Sequence, residues 1–284
     1  MLRVLLTCWC KNKGKIPDFQ FGFYPGRSTL HPIFILRHLI TAARVHKPGG
    51  SPHLHTAFID FSSAYDTVPR DSLWRHLQHS QMPTMFLRVL QDIYEGDEYI
   101  LTDGCKRVRV HPERGLKQGC PLSPLLFALY VNDIGEISKG VEGASSGLDS
   151  VRVPHLLYAD DLSLLANDTS QLQAMLNRLY QYAGRKSLTV NIQKSCVVHF
   201  NNRSARLPAL FFNAQEIPVT DSFKYLGVFF DKSGNMHTAA DHALHPFVLG
   251  TYRVRKFVQE HLHGCIPSLP LACSRLCYSG RHVW

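Results

Sequence analysis

The sequence has no apolar run approaching the roughly 20 residues that span a bilayer, which speaks against a membrane-crossing protein. Nothing in it resembles a secretory leader, and none is expected. The short run from Val4 to Leu6 precedes Lys11, Lys13 and Lys15, the wrong order for a signal peptide. Its eight cysteines follow no framework spacing, so reduced thiols and an intracellular protein, nuclear or cytoplasmic, are expected. Cys8 and Cys10 form only a C-x-C pair. His261, His263, Cys265, Cys273 and Cys277 match no zinc-finger spacing and read as unligated. Internal repeats are absent. Acidic residues are in deficit, 22 against 31 lysines and arginines, for a formal charge of +9. That surplus suits a polyanionic partner, because each phosphate neutralised by a basic side chain releases condensed counterions. Net charge alone does not identify the partner.

With 45% hydrophobic and 19% charged residues, the 284-residue chain can bury a sizeable core. Short strands alternate with amphipathic helices, the pattern of an α+β protein. Ile33, Leu36, Ile40 and Ala43 predict a helix over 30–43, and KPGGSP over 47–52 a loop. Residues 57–59 form a short apolar strand ending at Asp60. A helix beginning near Pro69 would bury Leu73 and Leu77. Tyr99 to Val110 reads as a hairpin turning at Asp103-Gly104, and 121–134 as an apolar helix followed by a polar connection to Ser150. Residues 153–166 suggest a second hairpin, and 171–183 a helix with Gly184 as its C-cap. Strands are expected around 188–190, 197–200 and 225–230, then a helix from about His237.

Chemistry enters at Tyr158-Ala159-Asp160-Asp161, where paired carboxylates sit between two apolar runs. Aspartate is common in turns, so a polar hairpin turn is one reading. A third carboxylate, Asp60, ends another short strand. Carboxylates crowded into one site repel one another and persist chiefly where a cation compensates them. Hard oxygen ligands suit Mg²⁺ or Mn²⁺, and two ions about 4 Å apart can clamp attacking and leaving oxygens in phosphoryl displacement.

Here a family resemblance becomes plain. AFIDFSSAYDTVPRDSLW (57–74) resembles motif A of reverse transcriptases, GLKQGCPLSPLLFALYVNDI (115–134) motif B, and LLYADDLSLLA (156–166) motif C. QFGFYPGRST (20–29) resembles the block preceding motif A in LINE and group II intron enzymes. SLTVNIQKSCVVHF (187–200) is similar to motif D, and FKYLGVFFD (223–231) to the primer-grip segment. The order matches the family over roughly 19–232, and motif B with KYLG favours the non-LTR, LINE-type retrotransposon group.

The resemblance implies an α+β right-hand palm of the split βαβ type, with an antiparallel sheet, partial fingers and a truncated thumb. The expected division is 1–56 for residual fingers, 57–236 for the palm and 237–284 for the start of a thumb. It implies RNA-directed DNA synthesis from dNTPs, with an RNA template, a DNA primer and two Mg²⁺ or Mn²⁺ ions. Asp60, Asp160 and the Phe61 carbonyl would hold the ions, and Asp161 would complete the cluster. Tyr65 falls at the steric-gate position, although outside motif A it would read as a packed core aromatic. Gln118 and Gly119 would meet the nucleotide, and Lys194 would protonate the leaving pyrophosphate. Arg27, Lys224, Tyr225 and Gly227 would contact nucleic acid, Arg27 being equally readable as a structural loop arginine.

Two departures stand out. Tyr24 replaces the first arginine of the family's FRPGRS. The upstream fingers segment with its R-P-I-S-like stretch has no counterpart, so a fragment that binds primer–template yet extends it poorly is the expectation. Rival readings are a group II intron-type enzyme and a non-catalytic nucleic-acid-binding remnant.

Overall fold

The computed structural model describes residues 1–44, 53–104, 106–145, 151–201 and 207–234. The chain divides into two compact units, 1–236 and 237–284. The second unit, the loop expected over 47–52 and the histidines and cysteines from His261 onward lie outside the described residues.

Helix α1 (Leu2–Asn12) buries Leu6 and Cys10, one turn apart. It ends where Gly14 takes φ +56° and the Lys15 N–H closes back on the Cys10 carbonyl at 2.9 Å. Helix α2 (Leu30–Arg44) buries the predicted stripe of Ile33, Leu36, Ile40 and Ala43. Strand β1 (Leu54–Ile59) follows, then a single turn, α3 (Ala64–Thr67). Helix α4 (Arg70–His79) starts directly after Pro69 and buries Leu73 and Leu77, as expected. Helix α5 (Thr84–Glu95), not anticipated from the sequence, buries Leu87, Leu90 and Tyr94. Strands β2 (Tyr99–Asp103) and β3 (Lys106–Val110) make the expected hairpin.

Helix α6 (Ser123–Tyr130) is buried on nearly every side. It is shorter than predicted and gives way to a 3-10 turn over Ile134–Ser138. The side chains at its end are spent on tertiary bonds: Asn132 to His76 and the Lys15 carbonyl, Asp133 to Tyr182 and Lys186. Short strands β4 (Ala144–Ser145) and β5 (Arg152–Val153) pair before β6 (His155–Tyr158) and β7 (Asp161–Ala166). Helix α7 (Thr169–Lys186) is capped by Asp168, whose carboxylate accepts from Ser170 N–H at 2.5 Å. Gly184 lies inside this helix. The left-handed residue that ends it is Ser187, φ +53°, because Ala183 is still buried against the core.

Strand β8 (Cys196–Phe200) comes next; the strand expected over 188–190 reduces to one bridge between Phe61 and Val190. A small hairpin, β9 (Phe211–Phe212) and β10 (Gln215–Glu216), precedes β11 (Ser222–Tyr225) and β12 (Val228–Asp231). The single strand expected over 225–230 is therefore a hairpin. Leu226 and Gly227 both take positive φ, the two-residue reversal whose twist suits hairpins.

All six side chains of β1 are buried, so it needs cover on both faces. The main sheet runs β6-β7-β1-β8, every pair antiparallel. With α6 between β1 and β6 and α7 between β7 and β8, this is the split β-α-β-β-α-β palm expected from the resemblance. One face (Ala57, Ile59, Leu162, Leu164, Val197) packs in a single core with Leu126 and Leu129 of α6 and Leu172, Leu176 and Leu179 of α7. On the other, Phe58 stacks on Phe223 at 4.4 Å and meets Tyr225 at 5.3 Å.

Candidate active site

The sheet register decides where the carboxylates go. Pairing runs from His55 opposite Ala166 to Ile59 opposite Leu162, and one further step sets Asp60 opposite Asp161. Facing residues of an antiparallel pair have Cα atoms roughly 4.5–5.5 Å apart. Asp160 occupies the two-residue turn closed by the Tyr158–Asp161 pair. Side chains alternate faces, so Asp60 and Asp161 share the side of Phe58 and Ser163. They line a cavity of about 50 Å³ with Lys194 over Phe58, Phe223 and Tyr225.

Crowding shows in the proton affinities. The Asp161 carboxyl is pushed up to about 6, by burial first and then by the charges of Asp160 and Asp60. Asp160 is also raised, by burial and by Asp60, against the lowering effect of a backbone hydrogen bond. Asp160 and Asp161 are thus both raised in the company of Asp60, and none of the three carboxylates is in an ion pair among the described residues. Among the described residues, no three His, Cys, Asp or Glu side chains are gathered closely enough to enclose a cation. The donor set nonetheless fits a hard divalent ion, being carboxylate oxygens crowded at the ends of the two central strands.

The 189–195 segment fixes Asp60 from its other side. The Asp60 carbonyl accepts from Asn191 N–H at 2.8 Å, and its N–H donates to Ser195 Oγ at 3.0 Å. Ser195 in turn donates to the Asn191 carbonyl at 2.7 Å. Ser62 N–H donates to the Thr189 carbonyl at 2.8 Å. These bonds flank the Phe61–Val190 bridge, so the Phe61 carbonyl turns away from Val190, towards the β7 side of the strand. Lys194 reaches the cavity from this same segment. Asn191 and Ser195 were not singled out from the sequence, where they are ordinary loop residues.

Tyr65 stacks on Phe127 at 4.8 Å, and its hydroxyl is buried without a hydrogen bond. Burial raises its pKa, and Asp160, Asp161 and Tyr158 add to the rise, which places the ring beside the carboxylates. The Tyr65 carbonyl accepts from Leu116 N–H at 2.9 Å, tying α3 to the loop before α6. On that loop Gln118 donates to both oxygens of Asp66, at 3.0 and 3.1 Å. Gly119 takes φ +78° with open space around it, a backbone that a ligand can approach closely. Arg70 and Lys117, likewise overlooked in the sequence, hold the loop from beneath. Asp97 receives Arg70 at 2.8 Å and Lys117 at 2.5 Å, and Arg70 also donates to the carbonyls of Gly115 and Tyr94.

The four residues assigned to nucleic acid fall in different settings. Arg27 donates to the carbonyls of Pro17 at 2.5 Å and Gln20 at 2.6 Å and pairs with Asp18, so its guanidinium staples its own loop. Tyr225 is 2% exposed, its hydroxyl buried near Ser163 without a well-formed hydrogen bond. It is the floor of the carboxylate cavity. Lys224 is exposed, its ammonium 5.6 Å from the Phe229 ring, and Gly227 forms the β11–β12 reversal.

Fold and register together define a right-hand palm that gathers three carboxylates at the ends of its central strands. Residues 3–230 match the family model for "Reverse transcriptase (RNA-dependent DNA polymerase)", and the chain belongs to that family. It is 27% identical over 226 residues to the RNA-directed DNA polymerase from mobile element jockey of Drosophila funebris, covering 77% of this chain and 24% of that one. It is 29% identical over 192 residues to the Pol polyprotein of the R2DM element of Drosophila melanogaster, covering 64% and 18%. The relatives are thus non-LTR retrotransposon proteins, and the chain spans about a quarter or less of their length. In fold it is similar to the Candida tropicalis telomerase, with TM-score 0.56 and 12% identity over 84% of this chain and 44% of the other. A second telomerase structure from that yeast, in complex with a fragment of telomeric RNA, gives TM-score 0.58 at 9% identity, covering 84% and 36%. No described helix is long and apolar enough to cross a membrane.

Proposed function

We propose that this chain is the polymerase core of an RNA-directed DNA polymerase, joining a deoxynucleotide to a primer 3′-hydroxyl on an RNA template. The observation that carries this reading is the β1–β7 register, which opposes Asp60 to Asp161 beside Asp160 and leaves the cluster short of positive charge. Asp60, Asp160 and the Phe61 carbonyl would hold two Mg²⁺ or Mn²⁺ ions, with Asp161 completing the negative field. When bound, such ions neutralise charge on the attacking and leaving oxygens of an in-line displacement. The protein's own part is positioning. Gly119 gives the nucleotide close access to backbone, and Gln118 is held at that spot by Asp66. Tyr65, wedged on Phe127, would exclude a ribose 2′-hydroxyl by clash. Lys194, which lines the cavity, would donate a proton to the leaving pyrophosphate. Lys224 and the basic surplus would meet template and primer phosphates.

The test is single-turnover primer extension on an RNA template with Mn²⁺. Asp160→Asn should abolish the extension that the wild type gives, and Tyr65→Ala should raise ribonucleotide incorporation relative to deoxynucleotide. Equal extension by wild type and Asp160→Asn would overturn the reading.

A further inference from the structure

The QFGFYPGRST block lies far from the carboxylates in sequence, yet it runs alongside β6. Phe21 N–H donates to the Leu157 carbonyl at 2.7 Å, and Leu157 N–H donates to the Phe19 carbonyl at 2.9 Å. This parallel bridge brings Gln20, 1% exposed, against the turn that carries Asp160. Its Oε1 accepts from Ala159 N–H at 3.0 Å and from Gly22 N–H at 2.8 Å. Its Nε2 donates to the Ala159 carbonyl at 3.3 Å. Only this orientation of the amide pairs all three backbone groups.

The residue so gripped is in an unfavourable state. Ala159 has φ +58°, the left-handed region that a residue with a Cβ rarely adopts. Such a conformation persists where surrounding structure over-determines it. Gly22 completes the fit, since a Cβ there would lie 2.3 Å from Ala159 N. Asp160 is the next residue, so the backbone angles of Ala159 aim its carboxylate.

We infer that Gln20 is a positioning residue: its side-chain amide holds Ala159 left-handed and thereby fixes the direction of Asp160. This rests on the polymerase reading for its consequence, and on the hydrogen bonds alone for the clamp. Gln20 touches no reactant. Gln20→Met keeps the shape and removes all three bonds. Gln20→Glu keeps the two accepted bonds and, when ionised, loses the donated one.

Two measurements on the 284-residue chain test the clamp. In Gln20→Met, the Ala159 amide should exchange with solvent at least about 10-fold faster, while Ala57 in β1 and Val197 in β8 keep wild-type rates. Mn²⁺ affinity should fall about 10-fold, with Gln20→Glu intermediate, since misdirecting one ligand loosens a site without removing it. If Gln20→Met does not fold, Gln20→Glu alone decides on the same two readouts. Unchanged Ala159 exchange, or equal acceleration throughout the sheet, overturns the inference. Wild-type chain that binds no Mn²⁺ while its Ala159 exchange still responds to Gln20→Met would sink the polymerase reading and leave the clamp standing.

Discussion

Two clusters of charged side chains meet the same electrostatic problem in opposite ways. Asp97 sits between Arg70 and Lys117, and all three are half-buried or better. Both cations also lie over the Tyr94 ring, at 4.8 and 5.3 Å. The Asp97 carboxylate is compensated inside the fold, and the result is a seat for the loop bearing Gln118 and Gly119. Asp60, Asp160 and Asp161 have no such ion pair among the described residues; Asp60 raises the proton affinity of the other two, and Asp160 that of Asp161. A carboxylate paired with cations inside the fold serves structure, whereas carboxylates gathered without such a pair are set up to take a counter-charge from a ligand.

The comparison breaks first at Asp97. Asp97→Ala leaves two cations with no carboxylate, and the expected loss is about 3–5 kcal/mol of unfolding free energy, read by urea denaturation. A loss below about 1 kcal/mol would mean that the cluster is no more than a surface pair.

A third group of buried ionisable side chains sharpens the contrast, because it is kept neutral. His155 packs edge-on against Phe19 at 4.1 Å, both ring nitrogens are buried without partners, and burial pushes its pKa down to about 4. Its contribution to stability is complete above the unfolded pKa of about 6.5 and is lost as pH falls towards 4. His155→Leu should recover about 3 kcal/mol of the wild-type loss between pH 7 and pH 4, measured as the urea midpoint at each pH. His55, also pushed down to about 4 by burial and by His199, retains its share of the loss in that variant.

Asp161 behaves with the opposite sign and a smaller size. Its folded pKa of about 6 lies above the unfolded value, so its stabilisation is present below pH 4 and disappears as pH rises through 6. In metal-free protein at pH 7, Asp161→Asn should therefore gain about 1 kcal/mol, a figure reduced for its solvent exposure. The gain should vanish at pH 4, and saturating Mn²⁺ should offset it by stabilising the wild type more than the variant. A thermal melt with and without metal checks both.

Much of the fold was legible where periodicity is regular. The stripe of α2, Pro69 ahead of α4 and Asp103-Gly104 between β2 and β3 all appear where the sequence places them. Helix α5 escaped despite its buried Leu87, Leu90 and Tyr94. The reversal inside 225–230 escaped because Leu226 at positive φ carries no turn signature. Gly184 suggested a helix end, but burial of Ala183 carries α7 on to Lys186. In the site, Tyr225 and Arg27 could be named from motifs, whereas their burial and bonding depend on chain distant in sequence.

The sequence by itself determined the family, the strands on which Asp60, Asp160 and Asp161 fall, and that the fold is a palm. Those properties reside in residue types and spacings along short segments. Only the tertiary structure decided how the carboxylates are aimed. Asp60 faces Asp161 because of a pairing register, its backbone is fixed by Asn191 and Ser195, and Ala159 is held left-handed by Gln20, 139 residues away. Hydrogen bonds between distant segments have no periodicity to read, since they exist only after the hydrophobic faces have chosen how to pack.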